Sequence, residues 1–414
     1  MTDLRARADA HDRLLTERLD SLVPTLMERA GLDAWVLVAR EYAEDPVLAT
    51  MLPATWLDTA RRRTILLFVR DTEGVRRMAV ARYAVGEAFP SAWDPEEEPD
   101  QWRRLAGLLA EADPARIGID SSPTFPLADG LSASERDGLV AALPPGFAAR
   151  LVSAESAAVG WLETRLPAER ARMADACRAS HGYLRRALSA EVITPGTTTT
   201  AQVEWWLRDA VHAAGHGSWF QPTCSVQRQG TGPRDSFAGR PTETVIEPGD
   251  LVHIDFGIVD DGYWTDQQQH AYVLRRGETA APAGLSAAIA CANRLQDLLM
   301  AEMAVGGTGN DVLRRTLDAA TAEGIDGLVY THPIGLHGHA AGPSIGLWDN
   351  QVAVDGPGDY PVWPMTAYSI ELQARVPVRE WDGQVVQAML EEDAFFDGSS
   401  CTFLDGRQTE PWLI

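Results

Sequence analysis

The segment from Leu251 to Leu274 constrains the fold more than any other part of the sequence. Two strand-like runs flank Asp260-Asp261-Gly262, a composition typical of a tight β-hairpin turn. With the turn centred between Asp260 and Asp261, Asp255 lies opposite Asp266, and directly opposed Cβ atoms are about 5 Å apart. Two carboxylates so close repel each other, so one holds a proton or a cation lies between them. A register shifted by two residues would make the pair diagonal.

Burial of this pair decides between two interpretations. Both side chains could point into solvent, where they would need no cation. The flanking residues are apolar and indicate strands that are buried on at least one face: Ile254, Phe256, Ile258, Trp264 and Tyr272. We therefore expect the two carboxylates to take part in a metal site.

More potential ligands follow in the C-terminal part of the chain. Three of the nine histidines fall within one glycine-rich segment: His332, His337 and His339. Glu371 follows a short apolar run, and Glu391 and Glu392 lie inside another. A set of four carboxylates and one imidazole would balance two divalent cations, and such ligands suit Mn, Fe, Co or Zn.

These residues resemble the site of the pita-bread metallopeptidases, the family of aminopeptidase P, prolidase, methionine aminopeptidase and creatinase. The family pattern is an Asp, a second Asp eleven residues later, a His in a glycine-rich segment and two late Glu residues. Residues 249–257 are similar to the family motif GD-x-V-x-x-D-x-G, and residues 266–278 are similar to D-x-x-R…V-L-x-x-G-E. The resemblance covers nearly the whole chain.

The resemblance implies a set of metal ligands and a cofactor. The implied ligands are Asp255, Asp266, His332, Glu371 and Glu391. Glu391 is preferred over Glu392 because the apolar residues 394–396 follow it at the distance found in the family. The implied cofactors are two divalent metal ions, with Mn²⁺ expected first and Zn, Co or Fe as alternatives.

The resemblance also implies catalytic and substrate-binding roles. Glu371 is expected to transfer a proton as well as bind metal. His339 stands seven residues after His332, as in the family, and is expected to bind substrate and stabilise the tetrahedral intermediate. His337 is a second candidate donor to the oxyanion, and Trp264 is expected to contact the substrate. The implied substrate is a short peptide or a small amide, and the implied assembly is a homodimer.

The expected fold class is α/β, with two domains. Short apolar runs alternate with helical stretches in the first part of the chain, which carries no chemical constellation. By resemblance, residues 1–163 form a creatinase-like N-terminal domain and residues 164–414 form a pita-bread catalytic domain.

The composition excludes several other classes of function. The chain contains 36 Arg and no Lys, which excludes a Schiff-base lysine and a P-loop lysine. A net charge of −23 disfavours nucleic acids and anionic membranes as partners. The four cysteines are far apart, and neither a signal-peptide core nor a membrane-spanning apolar run is evident, so we expect a cytoplasmic protein.

Several departures from the family pattern concern the substrate rather than the metal. Residues 217–252 contain no His, and Ser236 and Phe237 stand about where the family has one. Gln269 replaces the usual Arg after the second Asp, Ala340-Ala341 replaces the acidic part of H-E-x-P, and Leu372 replaces the Pro after the fourth ligand.

Three functions are compatible with these observations. The first is an amide hydrolase acting as an Xaa-Pro-type aminopeptidase or dipeptidase on short peptides. The second is a specialised hydrolase of a C–N bond in a small molecule, which the altered pocket residues favour. The third is a binding protein on a retired peptidase fold, which the complete set of five ligands disfavours.

Overall fold

The computed structural model describes residues 3–56, 60–231 and 242–414. The chain divides into two compact units, Met1–Leu162 and Glu163–Ile414. The boundary predicted from the sequence falls between residues 163 and 164. Ser236 and Phe237, the residues at the position of the missing family histidine, lie outside the described residues.

The first unit alternates helices and strands around one sheet. Its helices are α1 (Leu4–Ser21), α2 (Val23–Arg29), α3 (Pro46–Ala49), α4 (Gln101–Ala112), α5 (Ala133–Ala142) and α6 (Glu155–Glu163). Its strands are β1 (Ala34–Arg40), β2 (Arg63–Asp71), β3 (Gly74–Val80), β4 (Ile117–Ile119) and β5 (Leu151–Ser153). Short 3₁₀ turns lie at Ala54–Trp56, Pro126–Ala128 and Phe147–Arg150.

The sheet of the first unit has the strand order β3-β2-β1-β4-β5. The first two pairings are antiparallel and the last two are parallel. β1 is buried along nearly its whole length, as expected for a central apolar strand. The carboxyl groups of Asp45, Asp120 and Glu135 are also buried in this unit.

The second unit contains the longer helices and a large sheet. Its helices are α7 (Pro167–Ala187), α8 (Thr200–Ala214), α9 (Ala283–Glu302) and α10 (Gly309–Ala322), with 3₁₀ turns at Pro357–Asp359 and Arg379–Trp381. Its strands are β6 (Thr223–Gln227), β7 (Leu251–Phe256), β8 (Val259–Asp260), β9 (Tyr263–Trp264), β10 (Gln267–Tyr272), β11 (Gly327–Val329), β12 (His332–Pro333), β13 (Thr366–Val378), β14 (Gln384–Phe396), β15 (Cys401–Phe403) and β16 (Trp412–Leu413). No described helix has both the length and the apolar character needed to cross a membrane.

Local sequence signals fix where these helices begin. Pro167 occupies the first turn of α7, where its missing N–H costs no hydrogen bond. Thr199 and Gln202 form a capping box at α8, because each side chain bonds the backbone N–H of the other residue. Thr308 and Asp311 cap α10 in the same way.

The main sheet has the order β11-β13-β14-β10-β7-β6, and its two halves pack on different helix pairs. On β7, Ile254 and Phe256 join the core that α7 and α8 cover. On β13, Ile370 and Leu372 join the core that α9 and α10 cover. Because successive side chains of a strand point to opposite faces, residues between these apolar positions face away from the helices.

The register of the β7–β10 hairpin differs from the predicted one. Asp255 pairs with Gln268, so the prediction that Asp255 lies directly opposite Asp266 was wrong by two residues. Asp261 and Gly262 both have positive φ, at 50° and 84°, as the two central residues of a type I′ turn require. The turn is therefore centred on Asp-Gly rather than Asp-Asp, because glycine adopts this conformation without strain. Asp255 and Asp266 are consequently diagonal neighbours.

Candidate active site and metal centre

Four polar side chains form a row across the face of the main sheet that lies opposite the helices. Asp255 on β7 pairs with Gln268 on β10, and Gln268 pairs with Glu391 on β14. Glu391 in turn pairs with Glu371 on β13. Directly paired side chains share one face of a sheet, so strand pairing alone brings residues from distant parts of the sequence together.

Asp266 and the glycine-rich segment complete this constellation. His332 on β12 pairs with Ser369 on β13. Possible ligand atoms form three groups, and within each group the atoms lie no more than 4.8 Å apart. The groups are Asp255/Asp266/Glu391, His332/Glu371/Glu391 and Asp266/His332/His339. All five residues predicted to bind metal occur in these groups, and Glu391 belongs to two of them.

The imidazole of His332 tests whether these residues suit a metal ion. Its Nδ1 lies 3.0 Å from the carbonyl oxygen of Pro333, which can only accept, so Nδ1 carries the proton. Its buried Nε2 has no hydrogen-bond partner in the described parts of the chain, and lies 3.5 Å from Glu391 Oε1 and 3.8 Å from Asp266 Oδ2. A nitrogen facing several carboxylate oxygens needs a proton or a metal ion between them. One proton cannot balance the four carboxylates, so the donor set fits a divalent metal.

The electrostatics of the carboxylates support the same conclusion. Burial raises the pKa of Asp266 well above its ordinary value, and the nearby charges of Glu391 and Asp255 raise it further. Burial and the charge of Glu391 likewise raise the pKa of Glu371. Asp266 Oδ1 is buried without a hydrogen-bond partner among the described residues. A divalent cation would offset the repulsion between these carboxylates and would give Asp266 Oδ1 a partner.

His339 stands next to this constellation. Its ring meets that of His332 edge-on, with 4.6 Å between centroids, and meets that of Trp219 at 5.4 Å. Desolvation and the charge of His332 lower the pKa of His339 to about 4, although Glu391 opposes the shift. His339 is therefore neutral at pH 7 and can present one ring N–H as a hydrogen-bond donor.

His337 lies in a different environment. Its ring is 6.0 Å from that of Trp264, and it belongs to none of the ligand groups found among the described residues. Burial and the positive charge of Arg165 lower its pKa to about 4. Trp264 also contacts Trp219, at 5.5 Å between centroids, so an aromatic wall connects His337 with His339.

The profile of metallopeptidase family M24 matches residues 171–379 of this chain. The matched region contains α8, the β7–β10 hairpin, the glycine-rich segment and Glu371. The chain belongs to metallopeptidase family M24. It is therefore a metal-dependent hydrolase of the metallopeptidase class. No curated protein sequence matches it.

Solved structures show that the fold of the whole chain is shared with other proteins. The Xaa-Pro dipeptidase from Bacillus anthracis is 17% identical, with 97% of this chain and 100% of that chain covered at a TM-score of 0.64. Dipeptidase PepE from Mycobacterium ulcerans is 20% identical, with 98% of each chain covered at 0.62. The N-terminal domain of the FACT complex subunit SPT16 from Eremothecium gossypii is 12% identical, with 97% and 99% covered at 0.62. Identities this low show the fold alone, and they confirm the predicted pita-bread fold with an N-terminal domain.

A cleft of about 400 Å³ opens beside the candidate metal site of this M24 enzyme. His332, His339 and Glu371 belong to its lining. The remaining lining includes Tyr330, Pro333, Ala340, Leu347 and Trp348. Leu347 and Trp348 are 39% and 43% exposed, so apolar surface faces the cleft rather than the core. Such a lining suits an apolar substrate group.

Three residues near the site were missed by the sequence reasoning. Gln268 occupies the row between Asp255 and Glu391, and a correct turn register would have indicated it. Ser369 Oγ donates to Glu391 Oε1 at 2.6 Å, and Trp219 packs against His339. No sequence motif marks the last two, because tertiary packing alone brings them to the site.

One of the departures from the family pattern proves to lie away from the ligand row. Gln269 is buried and donates to Glu392 Oε1 at 2.9 Å. Because Gln268 faces the row, its neighbour Gln269 faces the opposite side of the strand. Gln269 therefore does not alter the surface that a substrate would meet.

Proposed function

We propose that this M24 enzyme is an aminopeptidase or dipeptidase that cleaves short peptides, in a catalytic domain of residues 164–414 that follows the N-terminal domain of residues 1–163. The observation that carries the proposal is the unpaired Nε2 of His332, which faces the carboxylates of Asp266 and Glu391 at the edge of an apolar cleft. Two solved structures of the same fold are a dipeptidase and an Xaa-Pro dipeptidase. Peptides of the Xaa-Pro type are therefore the first class to test.

The metal would be held by the five residues predicted from the sequence. Asp255, Asp266, His332, Glu371 and Glu391 would bind up to two divalent ions, with Mn²⁺ expected before Zn, Co or Fe. When bound, the metal polarises the scissile carbonyl and lowers the pKa of water.

The side chains around the metal would carry the proton transfers. Glu371 lies at the cleft, and its raised pKa suits a carboxyl group that accepts and returns a proton. The neutral imidazole of His339 would donate its N–H to the oxygen that becomes negative in the transition state. His337 is a second candidate donor, and Trp264 would contact the substrate from the aromatic wall.

Cell location and assembly extend the proposal. All four cysteines are free, which suits the reducing conditions of a cytoplasm. We expect a homodimer from the family resemblance.

A specialised hydrolase of a small-molecule C–N bond is the second candidate. It is favoured by Ala340, which lines the cleft where the family pattern has an acidic neighbour of the histidine. An enzyme rejects a substrate analogue when that analogue leaves polar groups of the site without hydrogen bonds. A cleft that lacks polar groups for the peptide cannot discriminate in this way. A binding protein without activity is disfavoured by the family assignment, although the fold alone occurs in proteins such as the SPT16 domain.

A substrate panel separates the two candidates. The full chain, loaded with Mn²⁺, is assayed against Xaa-Pro dipeptides and tripeptides, other short peptides and small amides. We expect cleavage of short peptides, with standard Xaa-Pro peptides turned over weakly because of the altered cleft. A kcat/KM of about 10⁴ M⁻¹s⁻¹ or more on Xaa-Pro peptides would restore ordinary Xaa-Pro specificity. Cleavage of small amides without any peptide cleavage would favour the second candidate.

A further inference from the structure

The amide of Gln268 lies in the middle of the candidate metal centre. Gln268 is 3% exposed and stands in the row between Asp255 and Glu391. Its Nε2 donates to Glu371 Oε1 at 2.6 Å and to Glu391 Oε2 at 2.8 Å. Both protons of the amide nitrogen are therefore used on carboxylates predicted to bind metal.

The orientation of this amide is fixed by a third hydrogen bond. Gln268 Oε1 lies 3.0 Å from His253 Nε2, which must donate because the amide oxygen can only accept. Rotating the amide by half a turn would direct its oxygen at two carboxylates and its NH₂ group at the His253 donor. Gln268 is therefore held with its NH₂ group directed at Glu371 and Glu391.

Gln268 bonds one carboxylate oxygen of Glu371 and one of Glu391, and leaves the other oxygen of each directed toward His332. In each glutamate one oxygen faces His332: Glu391 Oε1 lies 3.5 Å and Glu371 Oε2 lies 3.9 Å from its Nε2. The other oxygen of each residue accepts from Gln268. The His332 side thus keeps one oxygen of each glutamate available for a metal ion.

The Asp255 side is different. An ion bound by Asp255, Asp266 and Glu391 would lie close to Gln268. Asp255 and Glu391 are the residues that pair with Gln268 on its two neighbouring strands, β7 and β14. Glu391 Oε1 already accepts from Ser369 and faces His332, so this ion would have to bind Glu391 Oε2. Glu391 Oε2 accepts from the Gln268 amide, so the ion and the amide would compete for this oxygen and for the space beside it. Moving the amide away would break two charge-assisted hydrogen bonds in a buried site, which is costly.

We propose that the Gln268 amide replaces the ion of the Asp255 group, so that this enzyme holds one divalent ion, on the His332 side. This inference rests on the proposed function, because it assumes that the constellation binds metal. It changes the expected stoichiometry from two ions to one. It also assigns Gln268 as a positioning residue that orients Glu371 and Glu391 toward the bound ion.

Metal stoichiometry tests the inference without any activity assay. The full chain is stripped with a chelator, titrated with Mn²⁺ by calorimetry and analysed for bound metal after desalting. Wild type should bind one Mn²⁺ per chain, and Gln268→Ala should bind two. Gln269→Ala is the matched control: the neighbouring glutamine is equally buried but bonds Glu392, so its variant should still bind one. Electron paramagnetic resonance should show an isolated Mn²⁺ in wild type and a coupled pair in Gln268→Ala.

The number of bound ions tests the one-ion inference, and metal binding as such tests the proposed function. Two ions of similar affinity in wild type, or one ion in a folded Gln268→Ala, would overturn the inference and leave the proposed function intact. No metal binding in wild type would contradict the proposed function itself. Should Gln268→Ala fail to fold, Gln268→Ser provides a second shortened side chain, and the wild-type stoichiometry still decides the question.

Discussion

Gln268 lies directly opposite Asp255 in the antiparallel pair of β7 and β10. This one pairing sets the composition of the site, because it places an amide where a carboxylate was expected. It also moves Asp266 to a diagonal position, where it joins Asp255 on one side and His332 on the other. The hairpin therefore contributes two carboxylates and one amide to the candidate metal centre, each at a position determined by the Asp261-Gly262 turn.

The first prediction is that Asp266 is indispensable for metal binding. Asp266 belongs to two of the three ligand groups, so Asp266→Ala should remove metal and reduce activity to background. Metal analysis and a peptide assay on the purified variant check this. Asp318→Ala, an exposed carboxylate on α10, is the control and should retain both. Full activity of wild type after exhaustive chelation would contradict the metal-dependent mechanism.

The second prediction separates the two histidines of the site. His339→Ala should lower kcat by about 10²–10³-fold, the usual effect of losing one oxyanion donor, and leave the metal content unchanged. His332→Ala should lose metal, because Nε2 of His332 is the nitrogen directed at the carboxylates. Metal analysis of both variants next to steady-state kinetics distinguishes the roles. Equal loss of metal in both would show that His339 is a ligand as well.

The ligand residues could be proposed from the sequence because they carry their own chemical signature. Carboxylates and imidazole at family spacing in Asp255, Asp266, His332, Glu371 and Glu391 need no knowledge of packing. The pita-bread fold and the metallopeptidase class followed from the same residues, and both are confirmed. The turn register was wrong because the Asp-Asp and Asp-Gly dipeptides overlap at residues 260–262, and only backbone conformation distinguishes them.

Contacts between distant elements could not be predicted. His181 on α7 is buried between Glu392 Oε2 at 2.7 Å and Asp405 Oδ2 at 2.8 Å, although more than 200 residues separate them in sequence. Cys177, one turn earlier on α7, donates to Asp393 at 3.3 Å. A helix pattern predicts that one face is buried but does not identify its partners. The network behind Glu391 is therefore a product of tertiary packing.

The third prediction concerns the apolar side of the cleft. Trp348 lines the cleft beside His332 and is 43% exposed, so a substrate side chain would cover it on binding. Trp348→Ala should raise KM for peptides with a large apolar residue by about tenfold or more, and should leave kcat nearly unchanged, because uniform binding is lost. Trp205→Ala is the control, since Trp205 is 60% exposed on α8 and does not line the cleft. A fall in kcat without a change in KM would place Trp348 in the chemical step.

The last prediction concerns a pair of buried acids in the first unit. Asp45 Oδ1 caps α3 by accepting from the N–H groups of Val47 and Leu48, and Asp120 Oδ1 accepts from Trp35 Nε1 at 2.7 Å. Burial raises the pKa of Asp45 to about 6, and burial together with the charge of Asp45 raises the pKa of Asp120 well above its ordinary value. A protonated Asp120 donates to Asp45, which raises the pKa of Asp120 further and partly offsets the rise at Asp45.

The sign of the resulting pH dependence follows from these raised values. Well below about pH 4 both acids are protonated in the folded and unfolded states, and the pair costs nothing. As the pH rises, the unfolded chain releases its protons first, so stability falls through about pH 6 and beyond. Asp120→Asn removes one acid and supplies an NH₂ donor to Asp45, so it should stabilise the protein at pH 7 and have little effect at pH 4. Thermal unfolding of the full chain from pH 4 to 8 measures the difference, with Asp137→Asn, an exposed residue of α5, as the control. A gain that stays constant across this range, or a loss at pH 7, would mean that the folded protein does not hold Asp120 protonated.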